Sequence, residues 1–215
     1  MEFMTVGWWR VVLTVAALTS LNTTPALAQA CIGYAQGRGG ALNATVTFPE
    51  EGRGYDLNGM VASRDYGTFF TGGFGIVAFD EEDDLENTKT VHGTAAYEVE
   101  ALTPDVSICP AAGVTYSWVE GLNTLTVPFG VGVGATVPLG RRSGSGLTPF
   151  AIPQFLYVRH SIDDVEDGTE SEIFVALEAG LTLEIKAFRV TGGVGKIFEE
   201  DLDPVYSVTV GAAWR

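Results

Sequence analysis

The stretch SEIFVALEAGLTLEIK, Ser171 to Lys186, holds two interleaved sequences. Its odd positions are Ile173, Val175, Leu177, Ala179, Leu181, Leu183 and Ile185, all apolar. Its even positions, from Glu172 through Phe174, Ala176, Glu178, Gly180, Thr182 and Glu184 to Lys186, are mostly polar or small. A period of two puts successive side chains on opposite faces of a β-strand. The fold is decided by which of those faces meets the surroundings.

The same alternation runs through most of the chain. Residues 41–48 set Leu42, Ala44, Val46 and Phe48 against Asn43, Thr45 and Thr47. Residues 90–101 set Val91, Ala95, Tyr97 and Val99 against His92, Thr94, Glu98 and Glu100, and residues 107–118 repeat the pattern. In LTVPFGVGVGATV (125–137) the odd positions are Leu, Val, Phe and Ala, while the even ones are Thr, Pro and Gly. The last segment, 205–214, alternates Tyr206, Val208, Val210, Ala212 and Trp214 with Ser, Thr, Gly and Ala. Segments 55–64, 68–79, 147–160 and 187–198 are less tidy. Pro149 and Pro153 argue against a regular strand in the third of these, since proline cannot donate to a ladder. The expected count is about ten strands, or eight if the first two segments only form a cap. No helix of any length is evident beyond the N-terminal region.

At 215 residues the chain has the size of one domain. Charged residues make up 18%, below the roughly 25% of soluble domains. The net charge of −15 excludes nucleic acid as a partner, because phosphate binding needs clustered Lys and Arg. The acids gather in DEEDDLE (80–86), DDVEDGTESE (163–172) and EEDLD (199–203). Each run falls between strand-like segments and reads as a solvated loop. Metal-ligand spacings, phosphate loops and nucleotide motifs are absent from the sequence, so no cofactor or metal is expected.

The N-terminus differs in kind. Arg10 precedes the short apolar run VVLTVAAL, and Ala26-Leu27-Ala28 supplies the small-x-small pattern of a signal-peptidase site. Residues 1–28 are therefore expected to be a signal peptide, with cleavage after Ala30 as the alternative. Two cysteines, Cys31 and Cys109, would then meet an oxidising compartment, where an even count suggests a disulfide. Free thiols or lipidation of Cys31 are the other readings.

Alternation alone does not separate a soluble sandwich or lipocalin from a membrane barrel. Two features do. The apolar faces are long enough for the roughly 9–11-residue tilted strand that crosses a bilayer. The opposite faces are rich in Gly, Ala, Ser and Thr, the filling of a narrow closed interior. With no helices and no second sheet to cover the apolar face, lipid is the cover, and closure pairs every backbone group. The expected fold is all-β: a closed antiparallel up-and-down transmembrane β-barrel over residues 40–215. Val131, Val133, Leu177, Leu181, Val208 and Val210 then face lipid, while Glu178 and Glu184 look inward.

At this point the chain resembles the small bacterial outer-membrane β-barrels of the OmpA-like and opacity-porin type. The resemblance rests on the exported N-terminus, the repeated dyad strands, the contrast of short turns with acidic loops, and the closing VYSVTVGAAWR. It implies short turns in the periplasm and acidic loops outside the cell, with residues 29–39 as a periplasmic segment. It also implies a monomer in outer-membrane lipid, read by the barrel-assembly machinery through its last strand. Tyr116 and Trp118 would mark the outer interface and Trp214 the inner one. A lumen charge network of Glu98, Glu100, Glu178, Glu184 and Arg189 is expected, with Arg189 facing Glu184 across the turn at Ala187. A Cys31–Cys109 bridge would fix the segment CIGYAQGRGG as a plug. The expected role is structural or surface-interacting, with a filled lumen, and not enzymatic. A narrow passive pore is the first alternative. A rim hydrolase built on His92 or His160 with Ser161, Asp163 or Asp164 is the second.

Overall fold

A computed structural model describes residues 39–49, 52–63, 67–79, 87–99, 106–119, 121–140, 145–162, 168–199 and 202–214. The expected signal peptide and most of residues 29–39, Cys31 included, lie outside the described residues, as do Glu100 and most of the acidic runs. The strands are β1 (Gly40–Phe48), β2 (Arg53–Ala62), β3 (Thr68–Ala78), β4 (Thr88–Tyr97), β5 (Val106–Val119) and β6 (Leu122–Ala135). They continue with β7 (Val137–Pro138), β8 (Ser145–Ile162), β9 (Thr169–Ile185), β10 (Phe188–Ile197) and β11 (Val205–Trp214). Neighbours pair antiparallel, β11 returns to β1, and β6 closes against β8. The two-residue β7 carries the line of β6 past Thr136, so the barrel has ten walls.

The register fixes the barrel's shape. A row of paired residues that leaves β9 at Thr169 runs through Ser161, Asn123, Trp118, Lys89, Ile76, Tyr55, Val46, Val208 and Gly192, and re-enters β9 at Leu181. That is a stagger of 12 residues on ten walls. With standard strand spacings it tilts the strands by roughly 40° and gives a backbone radius of about 10 Å. Such a bore is narrow enough for side chains to fill.

The prolines sit where the ladder can spare a donor. Around Pro153 the β6–β8 register skips from Gly130–Gln154 to Val133–Ala151, and Pro149 lies where β6 breaks before β7. Pro128 falls in the gap between Ala112–Phe129 and Thr115–Thr126. Segment 147–160 is therefore part of the longest strand rather than an interruption. The rims are also less unequal than the link lengths suggested. β5 and β6 are joined at the acidic rim by a two-residue link in which Gly121 takes φ 75°, a left-handed conformation open to glycine.

Every strand of the barrel wall shows one apolar, exposed face and one buried face. In the opening stretch Leu177, Leu181 and Ile173 are exposed, while Phe174, Ala176, Glu178 and Thr182 are buried. Phe129 and Phe155 stack at 5.2 Å on the outward face. Inside, an apolar floor lies near the end that carries both the start of β1 and the end of β11. It packs Ala41, Met60, Phe69, Ala96, Cys109, Ala111, Phe150 and Ile152 together. Nearer the acidic rim Leu156, Val158, Phe174, Ala176 and Ile197 form a second apolar cluster, with Leu202 folded against it. Between the two lies a polar layer.

Candidate functional site in the barrel lumen

The polar layer is built on four strands that lend it one or two side chains each. Parity aims Asn43 of β1, Asp56 and Asn58 of β2, His92 of β4 and Arg189 of β10 into the bore, where all five are at least nine-tenths buried. The Nδ2 of Asn58 donates to Asp56 Oδ1 at 2.8 Å, and Asn43 Nδ2 donates to Asn58 Oδ1 at 2.9 Å. Arg189 Nη2 reaches Asn43 Oδ1 at 3.5 Å. At the other end His92 Nδ1 lies 3.4 Å from Asp56 Oδ2. The result is a line of polar contacts along the wall from β4 to β10.

Two of the links skip a strand, and glycine makes that feasible. Between β2 and β4, Gly73 and Gly75 of β3 face the bore. A Cβ on Gly73 would lie 2.7 Å from Asn58 Cβ and 2.8 Å from His92 Cε1, and one on Gly75 would lie 2.7 Å from Thr90 Oγ1. Between β1 and β10, Gly211 of β11 leaves the space that the Asn43 amide occupies. The glycines act as windows in the lining.

Hydroxyls cover the rest of the layer. Thr45 meets Thr209 at 2.8 Å, Thr182 meets Thr191 at 3.0 Å, and Thr124 meets His160 Nδ1 at 3.0 Å. The hydroxyls of Thr88, Thr90, Thr94, Thr115, Ser117 and Thr126 are buried on the β4–β6 side without a protein partner among the described residues. Buried groups of this kind hydrogen-bond small polar molecules or water. Above its floor the lumen is thus hydrophilic on the β4–β6 side and apolar where β8, β9 and β10 meet.

The expected site residues are distributed as follows. Glu178 and Arg189 are buried in the bore, and Glu184 is half-buried directly opposite Arg189 in the β9–β10 ladder. Glu98 lies just past β4 at the floor end. Burial raises its carboxyl above the ordinary carboxylate value, and a hydrogen bond from Ser107 opposes the rise. Val131, Val133, Leu177, Leu181, Val208 and Val210 are all exposed on the outward face. Tyr116 and Trp118 sit together near the acidic rim, 5.9 Å apart, with the Tyr116 hydroxyl donating to Asn123 Oδ1 at 3.0 Å. Trp214 is exposed at the opposite rim, where Tyr97 and Phe188 join it. Cys109 is buried in the floor.

His160 stands near the outer end of its strand, as the sequence reading had it, but His92 does not. His92 sits at mid-height in β4 rather than at its outer end, because β4 begins at Thr88 and runs to Tyr97. It has a carboxylate beside it, and His160 has a hydroxyl, but among the described residues, which do not include Asp163 and Asp164, neither has both. Ser161 points away from His160, as neighbours on a strand must. Asn43, Asp56 and Asn58 were not singled out from the sequence. Their signal is polar side chains at inward parity beside inward glycines.

No family model matches the chain, and no curated protein matches it. Among solved structures the barrel is similar to the translocator domain of the autotransporter NalP from Neisseria meningitidis. Identity is 14% over 95% of this chain and 99% of that one, with a TM-score of 0.56. The N-terminal β-barrel domain of OprF from Pseudomonas aeruginosa is 12% identical over 82% of this chain and 98% of its own, at a TM-score of 0.37. The β domain of the Bordetella autotransporter BrkA is 11% identical over 81% and 98%, at 0.43. These neighbours are outer-membrane β-barrels, and what the NalP domain shares with this chain is the fold.

Proposed function

We propose that the chain is an integral outer-membrane β-barrel, monomeric and exported, that spans the membrane and presents acidic loops at the cell surface in a structural or surface-interacting role. One observation carries this reading. The outward face is apolar along every wall of the barrel, from Leu42 and Leu57 through Phe74, Val131 and Leu177 to Val210, and all of these are exposed. Soluble monomers rarely expose contiguous apolar patches beyond a few hundred Å². Hydrocarbon is the medium that such a surface fits, and closure leaves it no unpaired strand edge along the wall. The final strand, ending at Trp214, is the segment we assign to the barrel-assembly machinery.

Heat-modifiable migration tests the reading. Extracted in mild detergent from the outer-membrane fraction, the protein is expected to run faster unboiled than boiled. A protein that stays soluble in the periplasm without detergent overturns it. A narrow pore is the second reading, favoured by the hydroxyl-lined upper lumen. The packed floor of Met60, Phe69, Phe150 and Ile152 speaks against it, and planar-bilayer recordings are expected to show no steady conductance.

The Cys31–Cys109 bridge belongs to the same proposal. Cys109 faces the bore in the floor, at the end of the barrel where residues 39 and 40 enter. Thiol labelling of the denatured, unreduced protein is expected to find neither cysteine reactive, and reduction is expected to expose both. Labelling of both without reductant discards the bridge.

A further inference from the structure

The outward face carries charge at one level only. Among the described strand residues with outward parity, the charged side chains are Arg53, Lys89, Arg159 and Lys196, and every one is a cation. The chain as a whole has 27 acidic residues against 12 basic ones, so this selection runs against its composition. Acidic strand residues, Asp56, Glu178 and Glu184 among them, take the inward parity instead.

All four cations stand near the acidic rim. Arg53 opens β2, Lys89 is the second residue of β4, Arg159 is three short of the end of β8, and Lys196 is next to last in β10. Lys196 donates to the Leu202 carbonyl, but Arg53, Lys89 and Arg159 are exposed. These three lie on one continuous stretch of wall, from β2 through β3, β4, β5 and β6 to β8, roughly 24 Å across at the usual strand spacing. Aromatic and amide groups fill the intervals. Tyr55 follows Arg53 on the same face, Trp118 is registered opposite Lys89, and Asn123 pairs with Trp118. Leu125 is paired with both Tyr116 and Arg159.

From this arrangement we infer that Arg53, Lys89 and Arg159 form a docking belt for the phosphates of an anionic lipid in the leaflet beside the acidic loops. The inference rests on the membrane reading above and names a lipid partner for that surface. The chemistry is complementary in both parts. The apolar face below Tyr116 takes acyl chains, while guanidinium and ammonium groups at the head-group level take phosphate, in which Arg offers bidentate donors. Tyr and Trp are suited to the same level, being apolar with one polar handle. The belt also answers the net charge. Without it, loops as acidic as these would repel the phosphates that the barrel must sit among.

The test refolds the full chain into vesicles of phosphatidylcholine alone, or with a minority of bis-phosphorylated lipid A or of its dephosphorylated form. Glycolipid retained after detergent extraction is measured by mass spectrometry. The wild type is expected to retain the phosphorylated form and not the dephosphorylated one, with retention weakening at high salt. Each of Arg53→Gln, Lys89→Gln and Arg159→Gln is expected to lower retention by roughly 5-fold, and the triple variant by at least 10-fold. Lys186→Gln, in the turn at the opposite rim, is expected to change nothing. Equal retention by wild type and triple variant, or equal retention of both glycolipids, overturns the belt. Failure of the wild type to give a heat-modifiable band in phosphatidylcholine alone would instead strike the membrane reading, so the two failures are told apart. Should the triple variant not refold, the single variants decide.

Discussion

Arginine at Val131 is expected to destabilise the barrel by about 2–4 kcal/mol in a phosphatidylcholine bilayer, whereas arginine at Asn123 on the same strand costs about 0–1 kcal/mol. Both positions face outward on β6, so neither change touches the lumen. Val131 lies well down the wall, paired with Pro110, and is 40% exposed. Asn123 stands at the acidic rim beside Trp118, where a long cation can reach water. Arginine at Asn123 also gives up the exposed hydrogen bond from Tyr116, which adds to the smaller cost, so any excess at Val131 measures the medium. Denaturant titration of vesicle-bound protein, followed by the fraction of fast-migrating band, gives both numbers. Were water the medium, both would behave as ordinary surface substitutions within about 0.5 kcal/mol. Near-equal small costs would thus remove the membrane account.

The wall of the barrel was readable from sequence because a period of two is local. Leu177 and Glu178 announce opposite faces whatever strand lies beside them, and the same holds for Val131 and Gly132. The prolines were harder. Pro149 and Pro153 look like breaks when each residue is asked to donate, but the ladder skips pairs at those points, and a skipped pair is visible only once β6 lies against β8. The lumen was hardest, because its contacts join residues on different strands. Arg189 and Glu184 do oppose each other across their turn, which short-range spacing can give. The contact of Arg189 with Asn43 spans 146 positions. It depends on the register that sets Asn43 of β1 and Arg189 of β10 on either side of Gly211 in β11, and on that residue being a glycine. Charge counting drew attention to carboxylates. Amides carry much of the observed line, since they can donate and accept at once and need no counter-ion.

Valine at Gly211 is expected to cost about 3 kcal/mol, although the position contributes no side chain to the barrel. Gly211 faces the bore between Asn43 and Arg189, which are its two ladder partners. A side chain there enters the space of the Asn43 amide, whose carbon would lie 3.2 Å from the new Cβ, with the Leu42 carbonyl at 3.3 Å on another side. Overpacking of this kind costs about 1–3 kcal/mol, and turning Asn43 away leaves its buried partners short of a hydrogen bond for a similar sum. Because the main obstacle is a side chain, shortening it should relieve the strain. The double variant Gly211→Val with Asn43→Ala is therefore expected to lose about 1–2 kcal/mol less than the two single losses added together. Gly73 supplies the contrast. A Cβ there meets the Leu57 carbonyl oxygen at 2.5 Å as well as His92 Cε1 at 2.8 Å, so Gly73→Val with His92→Ala should recover little. Coupling at Gly211 without coupling at Gly73 is the signature of a window cut for one side chain. Additive losses at Gly211 would mean that Asn43 does not need the gap, and the line from His92 to Arg189 would lose its structural basis.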